Sequence, residues 1–219
     1  MVKRFIHLKT VGMVVALGRS TSACLCMLVF LMSVHVFGAS GAAPMDVPVE
    51  IDVQVPILLN VLSFDRNLKQ RVGSEVVLGV LFQEKFRQSL DAKNQVASYL
   101  KKSRTNRIDS IPLRVVFLDL LDTLELKLVL EKEKINILYI APLRAVSVAE
   151  IAMLSQSLKI TSLTGIPEYC ELGIVVGVGS KGGNPLIIIN LAAANASGND
   201  FSSRLLKLAK VINHNNRLE

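Results

Sequence analysis

The chain has 219 residues, with 25 Lys and Arg against 18 Asp and Glu. Four of the basic residues and none of the acidic ones precede residue 44. The rest therefore holds 21 against 18, a balance that gives no support to a nucleic-acid partner. Cys170 and His214 are the only cysteine and histidine of that body, which excludes an internal disulfide and leaves no histidine for a core zinc site or a Ser-His-Asp triad.

The first segment reads as targeting. Lys3, Arg4, Lys9 and Arg19 make a positive start, "CLCMLVFLMSVHVF" is an apolar run, and "GASGAA" offers small residues for a signal peptidase. Residues 1–43 are expected to be a cleaved signal peptide. The alternative is an uncleaved N-terminal anchor, since about 20 apolar residues span a bilayer. In both cases the positive end stays in the cytoplasm, so the body is expected to be exported. Cys24 and Cys26 precede the apolar run, where a lipid-attachment cysteine should follow it. The long positive region leaves Met13 as a second candidate start.

In the body, "PMDVPV" leads to Ile51, Val55, Leu58, Leu59 and Leu62 at helical spacing, with Pro56 opening or kinking the helix. "FDRNLKQR" ends that helix in polar residues. "EVVLGVLF" (75–82) is a short Val-rich run bounded by turns, the mark of a buried strand. A helix over 84–100 presents Phe86, Leu90, Ala97 and Leu100, and "KKSRTNRIDS" follows as a basic loop. "LRVVFLD" (113–119), "INILYIAP" (135–142) and "ITSLT" read as further strands, separated by the helices "LDTLELKLVLEKEK" and "AVSVAEIAMLSQSLK". Strands alternating with helices indicate βαβ units and a parallel sheet.

The pattern then changes. "GIPEYCELG" is a turn or a one-turn helix, and "GIVVGVGS" and "PLIIIN" are strands joined by "KGGN", a hairpin that should add an antiparallel edge. A closing helix over 201–212 carries the stripe Phe201, Leu205, Leu208, Val211 and Ile212, with Asn199 or Asp200 as its cap, and covers an open sheet face. The expected fold class is α/β: a two- to three-layer, mostly parallel sheet with a C-terminal antiparallel hairpin strand and a closing helix. One domain spans 44–213, and 214–219 form a polar tail.

The tail "INLAAANASGNDFSSRLLKLAKVI" resembles that of the YfiR/HmsC-like family of exported bacterial proteins. "TSLTGIPEYCELGIVVGVG", "VVLGVLFQ" and the first helix "VPILLNVLSFDRN" fit the same scheme over residues 50–213. The resemblance implies a periplasmic, non-enzymatic protein that restrains a membrane-bound sensor or diguanylate cyclase, coupling the envelope to cyclic-di-GMP and biofilm formation. Family members carry Trp-Pro after the first helix and structural cysteine pairs. Here "FDRN" and a lone Cys170 stand instead, so redox control through disulfides is not carried over.

Open parallel sheets bind ligands beyond the carboxyl ends of their strands. Those ends make Phe82, Gln83, Asp119, Pro142, Gly165 and Pro167 the candidates for a small-ligand crevice, against the plain reading of ordinary closing loops. Phe64, Asp65 and Arg66 are candidates for a partner-binding edge, against a solvated helix terminus or local ion pair. "KKSRTNR" could meet anionic lipid or an acidic partner, or be a solvated loop. "GVGSKGGNP" lacks the helix that a phosphate loop requires. Cys170 is either a buried, inert thiol or a link between chains. No catalytic residue, metal ligand or cofactor is expected. A homodimer is left open, and the rival function is a periplasmic small-ligand-binding protein serving a transporter or sensor.

Overall fold

Val, Ile and Leu crowd the strand-forming runs "VVLGVLF" and "ILYI", every residue of which is buried, so neither face of these strands is left to water. The computed structural model describes residues 47–121 and 123–213. The expected leader and the polar tail with His214 lie outside the described residues. The strands are β1 (Val76–Phe82), β2 (Arg107–Ile108), β3 (Ile111–Asp119), β4 (Ile137–Ile140), β5 (Thr161–Thr164), β6 (Val176–Lys181), β7 (Asn184–Asn190) and β8 (Lys210–Ile212). They join in one sheet of order β2-β3-β1-β4-β5-β6-β7-β8. The stretch β3-β1-β4-β5-β6 is parallel, and β6 and β7 form the antiparallel hairpin. Its turn rests on Gly182 and Gly183, at φ 58° and 80°, a region that costs glycine nothing.

Eight helices cover the described residues: α1 (Ile51–Leu62), α2 (Leu68–Val72), α3 (Arg87–Ser103), α4 (Thr123–Lys132), α5 (Val148–Ser157), α6 (Pro167–Glu171), α7 (Leu191–Ala196) and α8 (Ser203–Leu208). The two-residue period of β1 sends Val76, Leu78, Val80 and Phe82 to one core, with Leu58 and Leu62 of α1 and Val96 of α3. Val77 and Leu81 face the other core, with Leu126 and Leu130 of α4 and Ile151 of α5. The domain is thus an α/β sandwich of three layers, as the alternation of elements predicts. Each buried Leu or Ile contributes about 1.5–3 kcal/mol. No helix among the described residues is long and apolar enough to cross a membrane.

Four local expectations are corrected. The closing helix stops at Leu208, and Val211 and Ile212 belong to β8, which pairs in parallel with β7. The sheet edge is therefore β8, and the hairpin strand lies inside it. Leu205 is buried but Leu208 is 70% exposed, so the stripe breaks after one turn. Ser202, not Asn199 or Asp200, caps α8, accepting from the Leu205 N–H. The basic loop contains β2, turned back onto β3 through Asp109 and Ser110, both at positive φ. Finally, "FDRNLKQR" does not simply end α1 but supplies the short helix α2.

Candidate functional site

Read in chain order, the parallel strands β1, β3, β4, β5 and β6 stand as second, first, third, fourth, fifth, the flavodoxin-like arrangement. Chain direction away from β1 reverses between β3 and β4. At such a switch point the connections leave to opposite sides and open a crevice at the carboxyl ends. A crevice of about 310 Å³ lies there, lined by residues 83–86, 119–121 and 144–145.

Its walls are tied by side chains from the strand ends. The Gln83 amide forms a two-bond clasp across the switch point: Oε1 accepts from the Arg144 N–H at 2.7 Å, and Nε2 donates to the Arg144 carbonyl at 3.1 Å. The Gln83 N–H donates to the buried Ser89 hydroxyl at 2.9 Å, which fixes where the amide starts. Asp119 Oδ1 accepts from the Glu84 N–H at 2.9 Å and so holds the β1–α3 loop against the end of β3. Below Arg144, the Leu143 N–H donates to the Tyr169 hydroxyl at 3.0 Å. Burial raises the pKa of Tyr169, the Leu143 hydrogen bond opposing that rise, so the hydroxyl stays protonated. Ala145 sits at φ 57°, a conformation that costs a non-glycine residue of order 1–3 kcal/mol. The rim carries both signs, Lys85 and Arg144 against Glu84 and Asp119. Such a rim suits a ligand bearing both charges, or a polar loop of a partner, better than a polyanion.

The structure brings Gln83 and Asp119 together in this crevice. Phe82 is buried beneath them, with the Lys93 ammonium 5.1 Å from its ring centroid. Pro142 lines a neighbouring cleft of about 240 Å³ with Gln88, Asp91 and Gln95. Gly165 and Pro167 line neither. Gly165 lies against the Gln54 side chain of α1, whose Oε1 accepts from the Tyr139 hydroxyl at 3.1 Å, and Pro167 packs on Gly179. Lys85, Phe86, Arg144 and Ala145 were not among the sequence candidates. Their signal was position alone, a few residues past the ends of β1 and β4.

The second candidate set separates. Phe64 is half-buried against the α1–α3 core, and Arg66 is exposed, paired with Asp200 at 3.1 Å. Asp65 turns inward. Its carboxylate accepts from Arg71 Nη2 at 2.9 Å, Asn199 Nδ2 at 2.8 Å, the Asn67 N–H at 3.0 Å and the Asp200 N–H at 2.8 Å. Arg71 Nη2 and Asn199 Nδ2 also donate to the Thr161 hydroxyl. This carboxylate is a structural knot joining the end of α1 to the C-terminal segment and β5. Cys170 is buried, and burial first, then Glu171 and Glu168, pushes its thiol up to about 12. Among the described residues no cluster of His, Cys, Asp and Glu could hold a metal ion.

A sheet covered by helices on both faces and opened at its carboxyl end defines a three-layer α/β domain. The model of the YfiR/HmsC-like family matches residues 52–210, and the chain belongs to that family. No curated protein sequence matches it. Among solved structures, it is similar to a conserved domain protein from Vibrio cholerae O1 biovar El Tor, at 12% identity and a TM-score of 0.50, over 74% of this chain and 60% of that one. It is also similar to a substrate binding protein with adhesive properties from Clostridium difficile, at 15% identity and a TM-score of 0.46, over 68% and 58% of the two chains. A third is an ABC domain in complex with L-Trp from Streptococcus pneumonia, at 13% and 0.47, over 70% and 62%. The chain spans about three-fifths of the length of each. At these identities the first likeness shows the fold alone.

Proposed function

We propose that this chain is an exported, non-enzymatic binding protein that acts in the periplasm on a membrane-bound signalling protein, a diguanylate cyclase or sensor. The observation that carries the reading is the family match over residues 52–210. The crevice at the switch point supports it by offering a place where binding can be felt by two loops at once. The Gln83 clasp couples the loop after β1 to the loop after β4. A partner or ligand that favours one arrangement of those loops shifts the domain's population toward it, and the signalling protein reads that population.

The test is made in cells. Deleting the gene should raise cyclic-di-GMP, the restored wild-type chain should lower it, and a chain carrying Arg144→Glu should restore it poorly while reaching the same level of folded protein. A nucleotide pool that ignores deletion and overexpression alike refutes the proposal.

The second reading is a small-ligand-binding protein serving a transporter or sensor. It is favoured by the crevice volume, which lies at the lower end of ligand pockets, about 300–1,000 Å³. A screen of metabolites by thermal shift separates the two. A large rise with one compound, abolished by Gln83→Ala, supports the second reading.

A further inference from the structure

The amino and carboxyl ends of the parallel strands differ in charge. A helix that joins two parallel strands starts beyond the carboxyl end of the first and returns to the amino end of the second. The helices α3, α4 and α5 therefore stop at one level, at the starts of β3, β4 and β5, and α2 stops beside the start of β1. Cations collect at that level. Lys101 and Lys102 stand in the last turn of α3, and Lys132 in that of α4. Arg107 belongs to the β2 hairpin at the start of β3. The carboxyl end has the other sign. Glu125, Glu150 and Glu168 occupy the first turns of α4, α5 and α6. Glu84 and Asp119 lie there too, and the cations at that end are Lys85, Arg87, Arg144 and Lys181.

A cation in the last turn of a helix is ordinary, because it complements the carbonyl end of the dipole. Here the excess runs on past the helices. Arg104 caps α3 at φ 50°, Lys134 follows α4 at φ 55°, and Lys159 follows α5 at φ 59°. Glycine is the usual occupant of such left-handed positions; at all three this chain carries a cation. Lys101, Lys102, Arg104, Arg107, Lys132 and Lys134 are exposed. Among the described residues none of the six has a carboxylate within ion-pair distance. Two acids at this end are already engaged, since Arg114 holds Glu75 at 3.2 Å and Glu133 at 3.5 Å. Within 101–110 and 131–136 that leaves Asp109 and Glu131. No large exposed apolar side chain falls in either stretch.

We propose that the amino end of the sheet is a lipid-facing surface, which lies on the acidic phospholipid headgroups of a bilayer. A stable protein interface is centred on desolvated aromatic or apolar anchors inside a polar rim. This face has no such anchors. Attraction to a charged bilayer needs only long, solvated cations at a common level, and each one near the surface adds about fivefold to the affinity. The cations also sit on both sides of the sheet, since α3 packs on one face and α4 and α5 on the other. They are spread rather than gathered into a pocket, which matches a plane of headgroups better than a single anion. The same plane repels the acidic carboxyl end, so charge alone sets one orientation. In that pose the crevice at the switch point opens away from the lipid. The inference goes beyond the regulatory role proposed above and does not depend on which signalling protein is bound.

The test sediments the full chain, purified from cells, with vesicles of phosphatidylcholine alone or mixed with phosphatidylglycerol. Binding should be about tenfold or more tighter on the mixed vesicles at low salt. It should fall as salt rises, the Debye length shrinking from about 30 Å at 0.01 M to about 10 Å at 0.1 M. The neutral vesicles report any attachment through the apolar run 24–37, which does not distinguish the two headgroups. Lys101→Gln with Lys102→Gln, and separately Lys132→Gln with Lys134→Asn, should each weaken binding about tenfold or more. Asparagine suits the left-handed backbone at 134. Arg87→Gln with Lys181→Gln removes the same charge from the opposite end and should weaken it by less than about twofold. In a background with Cys24 and Cys26 changed to Ser, a fluorophore on Ser103→Cys should be quenched by spin-labelled headgroups, and one on Ser180→Cys should not. Equal binding to the two kinds of vesicle overturns the proposal, as do equal effects of variants at the two ends or equal quenching. So does weakening by the α3 pair alone, the mark of a local dock for one acidic group.

Discussion

Replacing Asp65 by Ala is the sharpest test of how this fold is closed. The variant leaves the Arg71 guanidinium, 12% exposed, without its anion, and strips acceptors from the Asn199 amide and from the N–H groups of Asn67 and Asp200. Removing one member of a buried ion pair costs about 3–5 kcal/mol, because the other charge stays buried and unmet. The whole domain has about 5–15 kcal/mol of stability. For a chain of this size each kcal/mol moves the melting temperature by about 2–4 °C, so the variant should melt about 6–20 °C lower. Urea denaturation followed by circular dichroism measures the loss directly. Arg66→Ala, one residue along, is the internal control. Its pair with Asp200 is 61% and 47% exposed, and losing such a pair costs about 1 kcal/mol at most. A cycle with Arg71→Met should return a coupling of about 0.5–3 kcal/mol. If Asp65→Ala costs no more than Arg66→Ala, the carboxylate is not the knot described above.

Gly177→Ala should destabilise the domain by about 1–3 kcal/mol in the same assay, since its new methyl would stand 2.5 Å from the Cys170 sulfur inside a packed strand–helix contact. Cys170→Ala in the same chain should recover part of that loss. The Cys170 thiol, pushed up to about 12, is neutral at pH 8 and buried, so iodoacetamide should label it in urea and not in the native protein; native labelling by mass spectrometry would contradict its burial. Gln83→Ala should cost about 1 kcal/mol in stability, the worth of a partly exposed hydrogen-bonded clasp. It should nevertheless speed amide exchange at Arg144, whose N–H donates to the Gln83 amide. Unchanged exchange there would mean that the clasp does not hold the β4 loop.

The inner strands were legible because their apolar runs are short, continuous and bounded by turns, and β1 and β4, buried at every residue, show no polar alternation to confuse them. The C-terminal stripe was misread for a reason internal to its spacing. Leu205, Leu208, Val211 and Ile212 fit a helix, but the last two are also β-branched neighbours that suit a strand. The free edge of β7 decided between them, which no local pattern contains. The β2 hairpin escaped notice because Asp109–Ser110 makes its two-residue turn without the glycine that usually announces one. At the candidate site, strand ends pointed to Gln83 and Asp119, while Arg144 required knowing which loop β1 would face. Asp65 looked like a solvated helix end because the groups that consume its charge lie 6 and 134 positions away.

That span has a consequence for how the polypeptide is born. Before residue 199 has been synthesised, the Asp65 carboxylate can meet Arg71 but lacks the Asn199 amide, 134 positions downstream. Contacts so distant in sequence close late, after shorter loops have formed. A nascent chain ending before Asn199 can already pack the first helix on β1, yet the carboxylate at the end of that helix still lacks its C-terminal donors. The latch is completed only when residues 199–200 fold back onto the end of the first helix.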